Sequence, residues 1–398
     1  MNILLVSSFY PYPLLSGGQV RLYNLLRHLS KQHKVTLIAE TRENLPESDY
    51  DEIKKYCVKI LTVKRPKQWS VKNILRTGFS FYPFLLVGHF NKDMQKIIKE
   101  EIQSNIYDLI HVETFYVMHN LPKTSLPTIL TEHNIEYQIY WDFVNNFKFI
   151  FLKPFLWIDV LKLKFWEQFF WRKADQIIAV SKAEKIIIEK SINKKVLVVA
   201  NGVDCDYFSR IIKKEPKLST ILFVGSFRWI QNRDAAAYLL SNIWPILKEK
   251  FGSVIKLQIV GNEANTHIKN LDDPQIEIND CVQDIRKVYA TGTLLLAPIK
   301  IGGGTKFKIL ESMASGLPVV TTPEGVEGLE NYDNTIFVGK NDSELIYAAE
   351  KILTDNNLRK HLITREKEFV RKYYDWGEIT EKLESAYNQL VKKYDYRY

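Results

Sequence analysis

Short β-branched runs alternate with helical stretches along nearly the whole chain, and the alternation runs through twice. The first series is NILLVSS, KVTLIAE, CVKILTV, YDLIHVE, TILTEH, QIIAVS and VLVVAN; the second is TILFVGS, IKLQIVG, QIEIND, TLLLAPI, PVVTT and TIFVG. Strands alternating with helices build parallel sheets wrapped by helices. The pattern predicts an α/β protein of two doubly wound domains facing each other across a cleft, with ligands beyond the carboxyl ends of the strands. The stretch NGVDCDYFSRIIKKEPKLST, turn-rich at its start and charged at its end, is expected to link them. The expected domains are residues 1–203 and 204–372, followed by a C-terminal segment, 373–398.

In that last segment Trp376, Ile379, Leu383, Tyr387 and Leu390 recur at three- and four-residue steps, so one face of a helix must bury against something. Residues 140–171 break the general pattern. There Trp141, Phe147, Phe149, Phe151, Phe155, Trp157, Phe165, Trp166, Phe169, Phe170 and Trp171 are interleaved with Lys148, Lys153, Lys162 and Lys164. Such a mixture suits an interfacial helix that buries rings while lysines meet anionic head groups. It equally suits core-packed helices with snorkelling lysines.

The length, 398 residues, agrees with two domains of roughly 200 residues each. Cys57, Cys205 and Cys281 lie far apart, which suggests neither a disulfide framework nor a thiolate zinc site and fits a reducing cytoplasm. The N-terminal MNILLVSSFYPYP lacks the charge and length of a signal peptide and reads as a first buried strand. No run of 18 apolar residues free of charge suggests a transmembrane helix. The net charge of +9 leaves nucleic acid, anionic lipid and a phosphorylated small molecule open as partners.

Candidate chemistry concentrates in IGGGTKFKILESMASGLPVVTT, residues 301–322. The expected order is a strand, a glycine-rich loop, a helix over residues 306–315 with Thr305 as its N-cap and Gly316 as its C′ residue, then a strand. Glycines at a helix N-terminus permit close backbone approach to an anion, and Lys306 and Lys308 lie in the first turn, where the helix dipole alone would not favour them. Phe307 after Lys306 excludes a Walker A loop and also breaks the GxGxxG pattern. Phe307, Leu310 and Ala314 form the inward stripe, and Glu311 lies on its edge. A carboxylate there can accept two hydroxyl hydrogen bonds, as a ribose diol offers, while backbone N–H groups hold phosphate. A nucleoside diphosphate meets both requirements.

GGGTKFKILESMASGLPVVTTPEGVEGL resembles the donor-binding segment of family 4 glycosyltransferases of the GT-B fold. The likeness extends through FVGSFRWIQNRDAAAYLLSNIWPILKE, NDCVQDIRKVYATGTLLLAPIKIG, AVSKAEKIIIEK, VANGVDCDYF, SGGQVRLYNLLRHLSKQHKVTLI and YDWGEITEKLESAY, which together span nearly the whole chain in order. It implies two Rossmann-like domains, the first for the acceptor and the second for a nucleotide-sugar donor, with the C-terminal helix crossing back to the first. It implies transfer of a sugar to an acceptor hydroxyl with retention, without a metal or other cofactor. Front-face displacement is the expected mechanism, and the lack of a paired-carboxylate signature agrees with it.

By that likeness Glu311 holds the donor ribose, Gly303, Gly304 and Thr305 hold the diphosphate, and Lys306 neutralises the leaving group. Gly225, Val282, Gly17 and Gly18 join the donor site, with a helix beginning near Gln19, and His133 and Arg228 join Lys306 as catalytic candidates. Glu132 and Asn134 are alternatives to His133.

Three positions depart from the family pattern. Gly303 stands where the first glutamate of the usual pair would be, and Ser226 and Gln231 replace an arginine and a lysine, leaving Arg228 and Arg233 as nearby cations. DCD, residues 204–206, belongs to a linker motif rather than a metal site, and SKAE, residues 181–184, reads as a capping box. The implied partners are a nucleotide-sugar donor, a glycan or lipid-linked acceptor and an anionic membrane surface on the cytoplasmic side, with no nucleic acid. An epimerase of the same fold and a non-catalytic nucleotide-binding relative are the competing readings.

Overall fold

The computed structural model describes residues 1–210, 218–268, 272–280, 282–301 and 305–395. The chain divides into two units, one comprising Met1–Ala200 with Thr380–Tyr398 and the other Asn201–Ile379.

The first unit holds β1 (Asn2–Ser7), β2 (Lys34–Thr41), β3 (Lys59–Lys64), β4 (Leu109–Glu113), β5 (Thr128–Glu132), β6 (Gln176–Ala179) and β7 (Val196–Val198). They form one parallel sheet in the order β3-β2-β1-β4-β5-β6-β7. The second unit holds β8 (Ser219–Val224), β9 (Ile255–Val260), β10 (Ile276–Asn279), β11 (Leu294–Ala297), β12 (Val319–Thr321) and β13 (Phe337–Val338), in the order β10-β9-β8-β11-β12-β13. Every run expected to be a strand is one. The central strands β1, β4, β8 and β11 are buried almost end to end, as parallel strands covered on both faces must be. In each sheet the order reverses once, between β1 and β4 and between β8 and β11, and these switch points leave a crevice at the carboxyl ends.

The expected linker begins as folded structure of the second unit. Val203 N–H donates to Tyr374 O at 2.8 Å, and Asp204 caps the short helix Cys205–Ser209 by accepting from Tyr207 N–H at 2.8 Å. Asp206 pairs with Arg371 at 3.2 Å, so both aspartates of DCD have structural uses. In the helix Trp376–Asp395 all five residues of the expected apolar face are buried. Residues from Thr380 onward belong to the first unit.

Ser181 caps the helix Lys182–Ile192, as expected. Its hydroxyl accepts from Ala183 N–H and donates to the Glu184 carboxylate, which a strict capping box would instead turn to the Ser181 backbone. No helix among the described residues is long and apolar enough to cross a membrane.

Candidate active site

In the second unit the site forms at the switch point between β8 and β11. Gly225 follows β8, and its N–H donates to Val260 O at 3.0 Å. A Cβ on Gly225 would lie 2.9 Å from Lys308 Nζ and 2.9 Å from Asn232 Cγ, so only glycine leaves room for both. Lys308 Nζ donates to Asn232 Oδ1 at 2.6 Å and stands 4.7 Å from the Phe223 ring centroid. Asn232 in turn donates to Ser226 O at 2.8 Å. Desolvation pushes Lys308 down to about 7; the Lys306 charge adds to this and Glu311 opposes it.

Lys308 and Glu311 both project from the helix Phe307–Ala314. Tyr289, from the helix Ile285–Thr291, donates to Glu311 Oε2 at 3.0 Å. Desolvation raises the Glu311 carboxyl, while the Tyr289 hydrogen bond and the Lys308 charge hold it back. Glu311 is half-buried at the edge of the stripe, where Leu310 and Ala314 are buried and Phe307 is half-buried. Thr305 is not the cap of this helix. Lys306 occupies that position with extended backbone and, having no acceptor, makes no side-chain cap, while the Thr305 hydroxyl donates to Gly328 O at 3.3 Å. Gly316 at φ +69° closes the other end, with Gly316 N–H donating to Met313 O at 3.0 Å and Leu317 N–H to Ser312 O at 2.9 Å.

Lys306 Nζ lies 4.0 Å from Glu327 Oε2. Arg228 makes an exposed pair with Glu263 at 2.7 Å, and Arg233 meets His267 Nδ1 at 3.4 Å. The cation brought against Gly225 is thus Lys308, which sequence reasoning placed in the first turn without assigning it to the site. Its signal was its position three residues before Glu311. Val282 is exposed on the loop after β10. Gly303 and Gly304 lie outside the described residues.

In the first unit the corresponding switch point gathers His133, Glu113 and Gly18. His133 follows β5 at its carboxyl end, and its Nε2 meets Glu113 Oε2 at 2.6 Å; the imidazole is 17% exposed and the carboxylate fully buried. Burial would raise Glu113, but the His133 charge and hydrogen bond, helped by His111 and Arg21, outweigh it and hold the carboxyl at about 2. Glu132 is buried and accepts from Trp171 Nε1 at 2.9 Å, which makes it a strut, and Asn134 is exposed. The helix expected near Gln19 starts at Gly17, because Ser16 serves as its cap and accepts from Gln19 N–H at 3.4 Å. Gly17 and Gly18 are therefore its first two residues.

Residues 15–207 match the family model described as Glycosyltransferase Family 4, and residues 219–355 match that described as Glycosyl transferases group 1. The chain is 24% identical over 390 residues to an uncharacterized 44.6 kDa protein of the cps region of Klebsiella pneumoniae, covering 94% of this chain and 96% of that protein. Among solved structures it resembles a glycosyltransferase from Rickettsia africae, with a TM-score of 0.66, 17% identity and 98% of each chain covered. It also resembles HepE of Anabaena in complex with UDP, with a TM-score of 0.65, 14% identity, and 98% of this chain and 100% of that one covered. At these identities the structural likeness shows the GT-B fold.

Proposed function

Because the chain belongs to the group 1 glycosyltransferases, we propose that it moves a sugar from a nucleoside-diphosphate sugar to an acceptor hydroxyl with retention, in the assembly of a cell-surface polysaccharide or glycolipid. The observation that carries the donor reading is the grouping of Glu311, Tyr289 and Lys308 at the switch point of the second sheet. One Glu311 oxygen is held by Tyr289, which orients the other toward a ribose hydroxyl. Lys308 and Lys306 supply the positive charge that a diphosphate requires, so the reading calls for no metal ion. The UDP bound by HepE supports a nucleotide-sugar donor.

In the proposed reaction the bond from the anomeric carbon to the diphosphate oxygen breaks and a bond to the acceptor oxygen forms on the same face. The leaving phosphate takes the acceptor proton, so no carboxylate nucleophile is needed.

A thermal-shift screen of UDP, GDP, ADP and TDP and their sugars tests the donor site, since a ligand raises apparent stability according to its affinity. Glu311→Ala is expected to weaken the nucleotide found by about 10- to 100-fold, the worth of hydrogen bonds to a charged group. Unchanged affinity would place the ribose elsewhere. An isomerised sugar from donor alone would identify an epimerase instead.

The membrane part of the reading draws on the first unit. The helices Glu136–Asn145 and Lys153–Lys173 bury Val144, Val160, Leu163, Phe170 and Trp171, while Phe151, in the turn Ile150–Leu152 between them, and Phe155 are 75% and 72% exposed. The helix Val71–Phe79 continues this surface. Trp166 Nε1 donates to Phe81 O at 2.9 Å, the Phe81 and Phe165 rings lie 4.9 Å apart, and Phe79 is 90% exposed. Lys67, Lys72, Arg76 and Lys148 are exposed among these rings. Exposed aromatics ringed by cations suit the interface of an anionic bilayer.

A further inference from the structure

Every residue of β4, LIHVE, is buried. Side chains two apart in a strand share a face, so His111 and Glu113 stand on one side while Ile110 and Val112 join the hydrophobic core on the other. Titratable groups buried side by side are costly unless each is partnered. Here the partners form a chain. Tyr387, from the helix Trp376–Asp395, meets His111 Nδ1 at 2.6 Å; His111 Nε2 meets Thr131 Oγ1 at 2.8 Å and lies 3.6 Å from Glu113 Oε1. Glu113 Oε2 then meets His133 Nε2 at 2.6 Å.

The proton positions follow from the chemistry of each group. Burial holds the Tyr387 hydroxyl well above its ordinary range, so it stays protonated and donates to His111 Nδ1. Burial pushes His111 down to about 4, so at neutral pH its single N–H is on Nε2, facing Thr131 and Glu113. An ionised carboxylate only accepts, so the proton in the last link belongs to His133 Nε2. The hydrogen bond at one imidazole nitrogen decides the role of the other, which leaves Nδ1 of a neutral His133 as an acceptor.

That nitrogen stands beside the start of the first helix. A Cβ on Gly18 would lie 3.4 Å from His133 Nδ1 and 3.1 Å from Phe9 Cζ, so glycine keeps this side of the ring open. The end of β4 is also held under strain. Thr114 has φ +71°, with its N–H donating to Thr131 O at 3.0 Å and its hydroxyl bonded to that of Ser8 at 2.8 Å. Backbone of this kind persists where its surroundings over-determine it, often beside a site.

We propose that Glu113 is the positioning residue for His133, with the neighbouring His111 ring, fixed by Tyr387 and Thr131, 3.6 Å from its other oxygen, so that His133 Nδ1 is presented as a hydrogen-bond acceptor to a substrate hydroxyl. The substrate half of this rests on the reading of His133 as part of a sugar-transfer site. The charged and titratable groups around the pair are Arg21 from the helix Gly17–Leu29, His111 on the same strand, Glu136 from the helix Glu136–Asn145, and Tyr387.

The full chain with ¹⁵N-labelled histidine rings tests the proposal by NMR, with His133→Asn and His111→Asn identifying the two resonances. The expected result is His133 protonated on Nε2 and unprotonated on Nδ1. Glu113→Gln is expected to populate both tautomers and lower kcat by about 10- to 100-fold with little change in KM for the donor. Glu113→Asp, which keeps the charge, should recover part of the rate. Tyr387→Phe should mix the His111 tautomers.

A wild-type His133 carrying its proton on Nδ1 overturns the proposal, and so does a folded Glu113→Gln with unchanged tautomer. An unchanged His111 in Tyr387→Phe removes Tyr387 from the chain. If Glu113→Gln does not fold, the wild-type and Tyr387→Phe spectra decide. Turnover with none of the nucleotide sugars would instead defeat the donor reading, while the tautomers would still be read.

Discussion

Lys308 concentrates the chemistry of the second unit in one side chain. Its ammonium would be unperturbed at 10.5 but is held at about 7, so between these values the unfolded chain binds more protons than the folded one. Stability therefore rises with pH across that window, and the cost of the charged form is fully present below it. A bound diphosphate reverses the balance by favouring the ammonium. Binding at pH 8 is expected to take up protons, seen as an enthalpy that differs between phosphate and Tris buffers in titration calorimetry, and Lys308→Met should abolish the difference. Buffer-independent heats in the native protein would remove Lys308 from the phosphate site. Sequence reading reached Glu311 through hydroxyl chemistry, but it could not rank Lys308 above Arg228. Which cation meets Gly225 depends on how β8 and the helix Phe307–Ala314 pack, and no local pattern records that.

At the level of elements, the strands were legible because buried parallel strands are short continuous apolar runs. The helix Trp376–Asp395 was legible because its one apolar face repeats cleanly. The LIHVE strand carries a further signal. Two titratable residues at alternate positions inside a buried run already require partners, although which ones only the fold supplies. The helix Phe307–Ala314 shows the opposite case, since its expected side-chain cap is absent. Lys306 at the cap position has suitable extended backbone but no acceptor. Lys306→Ser should therefore cap the helix and stabilise the ligand-free protein by about 1 kcal/mol, or about 2–4 °C in Tm for a unit of this size. The same change should weaken nucleotide binding, because it removes a cation from the anion site. Thermal melts with and without nucleotide separate the two effects. Weaker binding without added stability would mean that the helix end is already satisfied.

For the molecule as a whole, among the described residues the first unit confines its exposed rings to two segments that meet, residues 69–81 and 139–169, and sets basic side chains among them. Only the second segment stood out in the sequence. In the first, nothing local shows that an apolar face stays uncovered. Lys162 explains how the two become one surface, because its Nζ donates to both Thr77 O and Ser80 O at 2.8 Å and so ties the segments together instead of serving a head group. Two forces should then add: burial of rings in the acyl boundary, and attraction of the remaining cations to anionic lipid, about 1 kcal/mol for each one near the surface. The protein should float with phosphatidylglycerol-containing vesicles at low salt, and less so as salt rises. The double variant Phe151→Ser/Phe155→Ser should lose flotation at every salt concentration while keeping its melting temperature, since neither ring supports the core. Retained flotation in that variant would put the binding on charge alone, and no flotation of the native chain on any vesicle would remove the membrane from the reading.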